Sequence, residues 1–98
     1  MTELRWTPQA ADDLAAIHDF IARDSKVYAS ATARKIISAI GRVEQFPLSG
    51  RKVPEHDRDE LREIIVPPYR CVYLLKDDVA WILTIFRSSM LLPSIPEP

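Results

Sequence analysis

The chain has 98 residues, 47% of them hydrophobic, and its 13 basic side chains nearly balance 14 acidic ones. This length is typical of one domain, residues 1–98, with a modest core. The near-neutral charge argues against a general polyelectrolyte binder of nucleic acid, because counterion release rewards an excess of positive charge. No apolar run approaches the ~20 residues of a membrane span and no signal peptide is visible after Met1, so we expect a cytoplasmic protein without a membrane partner.

The first half of the chain predicts one short strand followed by two helices. Residues 4–6 form the strand. Thr7 and Pro8 then start a helix, since threonine suits the N-cap and proline the first helical position. Asp12 and Asp13 are expected in its first turn, where the helix dipole favours acids. Residues 24–25 can cap a second helix that ends before Pro47. So short a connection predicts an antiparallel hairpin. The apolar stripes are Ala10, Leu14, Ile17 and Ile21, then Ala29, Ala33, Ile36, Ile40 and Val43.

The second half predicts three strands, at residues 61–66, 69–75 and 79–87. β-branched and aromatic residues dominate these runs, and turn residues separate them. Strict alternation in the last strand places Leu83 and Ile85 on one face, opposite Thr84 and Phe86. Both faces are apolar at the middle, so the helical hairpin should cover one of them. The apolar tail either packs back on the sheet or waits for a partner.

The predicted order is therefore β-α-α-β-β-β. It describes an α+β domain in which a small antiparallel sheet packs on an N-terminal antiparallel helical hairpin.

Basic residues mark the predicted sheet. Arg62 opens one strand, Arg70 lies in the next and Arg87 closes the last, while Arg51 and Lys52 lie in the loop before them. Because unpaired arginine is costly to bury, we expect these cations to meet an anion, an acidic partner or a phosphate backbone in one region. Such groups can also stabilise charge on phosphate during metal-free RNA cleavage. The alternative is surface salt bridging with Asp57, Glu60 and Glu63.

Other catalytic chemistry has little support in the sequence. Cys71 lies in a predicted strand and is expected to be a small buried hydrophobe. His18 and His56 are expected to border solvent. There are only two glycines, Gly41 and Gly50, so no glycine-rich phosphate loop exists, and no metal-ligand spacing appears. We therefore expect no metal and no cofactor.

Several short motifs occur in a recognisable order. They are WTPQA at 6–10, FPLSGR at 46–51, LRE at 61–63, YR at 69–70 and LLP at 91–93. Together with Arg87, they resemble the RelE/ParE family, the toxin halves of bacterial type II toxin–antitoxin pairs. The resemblance covers nearly the whole chain. It implies a helical hairpin on a small antiparallel sheet and a cognate antitoxin bound in a hetero-oligomer.

Two activities compete within that family. ParE-like members inhibit DNA gyrase and are not nucleases, whereas RelE-like members cut mRNA in the ribosome and often carry a C-terminal tyrosine. Here no tyrosine follows Tyr73, and residues 88–90 replace a second basic residue of many relatives. The long first helix, the loop at 46–51 and the LLP ending look more like the ParE branch.

The resemblance therefore favours a non-enzymatic gyrase inhibitor acting by protein–protein contact. Its binding residues would be Arg51, Arg62, Arg70, Arg87, Leu91 and Leu92. The alternative is a ribosome-dependent endoribonuclease in which Arg62, Arg87 and Lys52 are catalytic. A third possibility is a degenerate, non-toxic member.

Overall fold

The computed structural model describes residues 1–95 and 97–98, which form two helices and a five-stranded sheet. The elements are β1 (Glu3–Trp6), α1 (Pro8–Ala22), α2 (Lys26–Gly41), a short 3-10 helix (Arg42–Glu44), β2 (Arg51–Lys52), β3 (Leu61–Val66), β4 (Tyr69–Lys76) and β5 (Val79–Arg87). The strand order is β1-β5-β4-β3-β2. All neighbouring strands are antiparallel except β1 and β5. The predicted α+β class and hairpin-on-sheet arrangement are confirmed, with two differences: β2 forms within the predicted loop, and β1 is parallel to its neighbour.

Both helices begin at the predicted caps. Thr7 Oγ1 accepts the backbone N–H of Ala10 at 3.2 Å, and Ser25 Oγ accepts that of Tyr28 at 3.1 Å. These bonds satisfy donors that the first helical turn leaves without a partner. The second helix ends at Gly41, before the predicted stop, because the backbone tightens into the short 3-10 helix there.

Asp12 and Asp13 lie beyond the first turn of α1, so their predicted placement is wrong, and Asp13 has a different role. Its Oδ2 accepts the hydroxyl of Thr84 at 2.7 Å and the backbone N–H of Ile85 at 3.0 Å. Both donors lie at an irregularity in β5, where Val72 pairs with Thr84 but the next residue of β4 pairs with Ile82. Asp13 therefore ties α1 to the sheet rather than serving the helix dipole.

This β-bulge overturns the predicted faces of β5. Leu83 is the extra residue, so side chains after it change sides relative to strict alternation. Ile82 and Ile85 both lie in the core under the helical hairpin, whereas Leu83 and Phe86 share the opposite core. The prediction that Leu83 and Ile85 share a face is therefore wrong.

Each face of the sheet has its own core. On the hairpin face, side chains such as Tyr73 and Cys71 pack against the helices around Ile36. On the other face, here called the tail face, Leu92 and Ile95 pack on a smaller core. The C-terminal tail thus returns to the sheet, which settles the alternative left open by the sequence. No helix among residues 1–95 and 97–98 has the length and hydropathy needed to cross a membrane.

Candidate functional site

An ion network lies on the tail face and pairs two of the predicted basic residues, Arg51 and Arg70, with carboxylates. The Glu63 side chain is 0% exposed and bridges Arg51 Nε at 2.6 Å and Arg70 Nε at 2.7 Å. Arg70 also grips Glu55 in a bidentate pair, with both N–O distances at 2.8 Å. Its guanidinium lies 5.0 Å from the centre of the Phe86 ring. Lys52 pairs separately with Asp57 at 3.1 Å and more distantly with Asp59.

The pKa values in this network follow from the pairing. Hydrogen bonding to Arg70 lowers the pKa of Glu55 to about 2, and the same bond raises the pKa of Arg70. The hydrogen bond to Asp57 raises the pKa of Lys52. These groups stay charged at neutral pH, but their charges are matched internally. The salt-bridge alternative is therefore the observed arrangement for Arg51, Lys52 and Arg70.

Arg62 lies on the hairpin face and holds a loop. Its Nε donates to the carbonyl of Asp59 at 2.8 Å, and its Nη1 donates to the carbonyl of Gly50 at 2.8 Å. A longer bond of 3.5 Å reaches the carbonyl of Leu48. Arg62 thus fixes the path of residues 48–50, which begin with the exposed side chain of Leu48.

Close packing explains why residue 50, in the FPLSGR motif, is glycine. A Cβ at Gly50 would lie 2.6 Å from Tyr73 Oη and 2.7 Å from the carbonyl oxygen of Glu63. Tyr73 Oη accepts the Gly50 N–H at 3.0 Å and donates to the carbonyl of Pro47 at 2.7 Å. Only glycine permits this approach, so the motif has a structural role in positioning the loop.

Arg87 lies at the opposite end of the hairpin face from Arg62. It pairs with Tyr69 across the strands, and its guanidinium lies 5.8 Å from the centre of that ring. Within residues 1–95 and 97–98 no carboxylate lies within ion-pair distance of it. Arg87 lines a cleft of about 460 Å³ between the tip of the helical hairpin and the β3–β4 turn.

The structure does not bring the three strand arginines together. Arg62 pairs with Tyr73, a hairpin-face residue, whereas Arg70 pairs with Phe86 of the tail face. Arg87 shares the hairpin face with Arg62 but lies four rows along β4, which is about 13 Å at ~3.3 Å per residue. The expectation of one convergent cationic region is wrong, because the alternation of a pleated strand sends neighbouring residues to opposite faces.

A second basic surface was not predicted from the sequence. The clefts beside α2 meet at Lys35, Val66 and Pro67 and form one channel, the α2 groove. One side of the groove is formed by one face of α2 and by Arg42 of the following 3-10 helix. The other side is formed by residues 65–69 and Arg87. The helix-side residues recur every three or four positions: Tyr28, Thr32, Lys35, Ser38 and Arg42. The available signal was that every charged residue within α2 is basic.

The two tail leucines that were expected to bind a partner differ in burial. Leu92 packs against the tail-face core, whereas Leu91 is 93% exposed. Met90 beside it is 61% exposed, and its N–H donates to the Arg87 carbonyl at 2.9 Å. An ion pair between Arg58 and Glu97 holds the end of the tail. Arg87 is therefore followed by a short apolar projection.

The cysteine thiol is buried within the sheet. Cys71 is 1% exposed, and burial raises the pKa of its thiol to about 12, so its reactive thiolate is scarce. Across residues 1–95 and 97–98, no group of three His, Cys, Asp or Glu side chains could hold a metal ion.

Comparisons with known proteins agree with this architecture. The sequence profile of the family described as the ParE toxin of type II toxin–antitoxin system, parDE, matches residues 4–92. A curated relative, Toxin RelE2 of Caulobacter vibrioides, is 32% identical over 92 residues, covering 93% of this chain and 100% of that protein.

Solved structures share the fold. The structure titled as the chromosomal ParDE TA system from P. aeruginosa has a TM-score of 0.74 at 26% identity, covering 89% of this chain and 96% of that chain. The solution structure of a conserved hypothetical protein from Helicobacter pylori has a TM-score of 0.56 at 21% identity, covering 94% and 100%, and is similar in fold alone.

Together these findings define the toxin half of a type II toxin–antitoxin system. The chain belongs to the ParE toxin family, within the wider RelE/ParE group. An antitoxin is therefore implied as its partner.

Proposed function

We propose that this toxin inhibits DNA gyrase by protein–protein contact and that a cognate antitoxin neutralises it. The observation that carries the proposal is the internal pairing of Arg51, Lys52 and Arg70 with carboxylates. Stabilising charge on a scissile phosphate requires cations that are preorganised toward the anion. The remaining strand arginines, Arg62 and Arg87, lie at opposite ends of the hairpin face. This distribution favours a contact inhibitor over a nuclease.

The proposed gyrase contact is the segment from Arg87 to Leu91. It combines Arg87, which has no carboxylate partner within residues 1–95 and 97–98, with two exposed apolar side chains, Met90 and Leu91. Exposed apolar groups next to arginine are characteristic of protein interfaces, where arginine is enriched among the residues that dominate binding.

The direct test is a supercoiling assay with purified gyrase. We expect the toxin to inhibit supercoiling at micromolar concentration, and a Met90→Ser/Leu91→Ser variant to lose at least about tenfold in potency. Phe46→Ser is the control. The Phe46 side chain is 60% exposed, similar to the 61% of Met90, but Phe46 lies beyond the opposite end of the sheet. Normal supercoiling with folded wild-type toxin would defeat the gyrase proposal. Equal losses in both variants would defeat the assigned segment.

The name of the curated relative, Toxin RelE2, supports a second candidate function. In a ribosome-dependent endoribonuclease, Arg62 and Arg87 would stabilise charge on the phosphate and Lys52 would hold the RNA near the cleavage position. For that, Lys52 must leave Asp57 and Asp59, and the two arginines, which lie at opposite ends of the hairpin face, must reach the same phosphate. Mapping mRNA ends in a translation extract tests this candidate: cleavage by wild-type toxin that disappears in Arg87→Ala would favour it over gyrase inhibition. Induced expression without growth arrest would instead indicate the non-toxic alternative.

A further inference from the structure

The two helices carry opposite charges, although the net charge of the whole chain is only −1. The acidic or basic side chains of α1 are all aspartates, and those of α2 are all arginine or lysine. Within residues 1–95 and 97–98 no ion pair joins the two helices. The hairpin therefore carries an acidic band and a basic band side by side. The aspartates are Asp12, Asp13 and Asp19, and the cations are Lys26, Arg34 and Lys35.

Much of this charge lies on the side of the hairpin that faces away from the sheet, here called the outer face. Its exposed residues recur every three or four positions, as expected for one side of a helix. Two apolar side chains lie among them without cover, because Val27 is 81% exposed and Ile37 is 49% exposed. The other exposed residues are Asp12, Ala15, Ala16 and Asp19 on α1, and Ala31, Arg34 and Ser38 on α2.

The heights of the charges along the hairpin make the two bands complementary to a rotated copy. At ~1.5 Å per residue, Asp12 lies about 15 Å from the end of α1 and Arg34 about 12 Å from the start of α2. A two-fold axis parallel to the helices keeps these heights and places α1 of one copy on α2 of the other. Asp12 of each copy then meets Arg34 of the other, so the same contact forms twice.

Apolar and small side chains match in the same arrangement. Ile37 and Ala11 both lie about 17 Å from the tip of the hairpin, so Ile37 of one copy packs on a small side chain of the other. Alanines at positions 15, 16 and 31 let the helix axes approach to about 8 Å. Because α1 and α2 are antiparallel, the four helices form an antiparallel bundle.

Charge excludes the other symmetric arrangement. An axis perpendicular to the helices places each helix on its own copy, which brings aspartate against aspartate and arginine against arginine. Like charges that face each other across an interface are costly. A nucleic acid also fits poorly, since the acidic band would repel its phosphates.

We propose that the outer face binds a second copy of this chain and that the free toxin forms a two-fold symmetric dimer with α1 on α2. This inference goes beyond the proposed function and relies on neither gyrase nor the antitoxin. The outer face measures about 22 Å by 20 Å in outline, or roughly 450 Å² per copy. Since a standard interface buries about 800 Å² per partner, we expect a weak dimer with a Kd of about 10–100 μM.

Sedimentation equilibrium of the full chain over about 5–300 μM tests the proposal. We expect a monomer–dimer equilibrium whose affinity falls as salt rises. Asp12→Arg and Arg34→Glu should each weaken the dimer at least about tenfold, because each places like charges in contact. An equimolar mixture of these two variants should dimerise again, since Arg at 12 in one chain meets Glu at 34 in the other. The neutral variants Asp12→Asn and Arg34→Gln should weaken the dimer less.

Lys76→Glu is the matched control, because it changes the net charge as Arg34→Glu does but lies at the end of β4, away from the outer face. It should retain the wild-type affinity. Circular dichroism confirms that each variant is folded.

Three results would overturn the proposal. The first is a folded wild-type toxin that stays monomeric at every concentration. The second is an equimolar mixture of folded Asp12→Arg and Arg34→Glu that is no more dimeric than either variant alone. The third is an equal loss of affinity in Lys76→Glu and Arg34→Glu, which would indicate general electrostatics. Because neither gyrase nor antitoxin is present, failure of the gyrase proposal would leave these results unchanged.

Discussion

Replacing Glu63 with glutamine tests whether the tail-face network holds this sheet together. The carboxylate is 0% exposed and accepts from two guanidinium groups, those of Arg51 and Arg70. Glutamine keeps the shape, but it has one acceptor oxygen, and its amide N–H groups would face a donor. Breaking a buried ion pair by removing one partner costs about 3–5 kcal/mol. Arg70 would retain Glu55, so we expect the lower end, about 3 kcal/mol.

That loss is large for a domain of this size. Small domains are stable by about 5–15 kcal/mol, so Glu63→Gln should remove between about a fifth and three fifths of the total. Urea unfolding followed by tryptophan fluorescence measures it: the midpoint should fall while the m-value stays constant. Arg51→Gln is the matched control and should cost about 1 kcal/mol or less, because Arg51 is 59% exposed. A cost for Glu63→Gln no greater than that of the control would refute the reasoning.

Three further predictions concern other parts of the structure. Gly50→Ala should destabilise the protein by about 1–3 kcal/mol in thermal unfolding, since the new Cβ would meet backbone and Tyr73 Oη; an unchanged melting temperature would contradict this packing. Because Arg70 lowers the pKa of Glu55 from 4.5 to about 2, this pair contributes stability above pH 4.5 that is lost as the pH falls toward 2. Glu55→Gln should therefore flatten the acid limb of the stability profile, and an unaltered limb would count against the pair. The Cys71 thiol should react with a disulfide reagent only as fast as the protein unfolds, and rapid labelling of native protein would show that it is not buried.

The uses of arginine in this fold differ from those suggested by sequence position alone. Arg70 is paired with buried and half-exposed carboxylates, Arg62 organises a loop through backbone carbonyls, and Arg87 lines a cleft beside the hairpin tip. The same residue type in three consecutive strands therefore has three different environments. The bulge at Leu83 adds a further change of faces that no alternating pattern reveals, because it depends on the pairing between β4 and β5.

The α2 groove could not be predicted from the sequence for a different reason. Periodicity placed the apolar stripe of α2 correctly, and the cations on the remaining face were visible in the sequence. Whether these cations line a groove depends on which residues pack beside α2. The β3–β4 turn and Arg87 are distant in sequence from Lys35, and only packing of the hairpin on the sheet joins them into one channel.

The sequence by itself determined all the main elements except β2, and their class: Thr7 and residues 24–25 as helix caps, the short connection that forces a hairpin, and three runs of strand-forming residues. These features are set by local backbone geometry and by hydrophobic periods within one segment. Tertiary structure decided which cations are paired with carboxylates, where the tail lies, and how α2 meets the sheet. Those outcomes depend on strand register and on contacts between distant segments, and a one-residue bulge is enough to move a side chain from one face to the other.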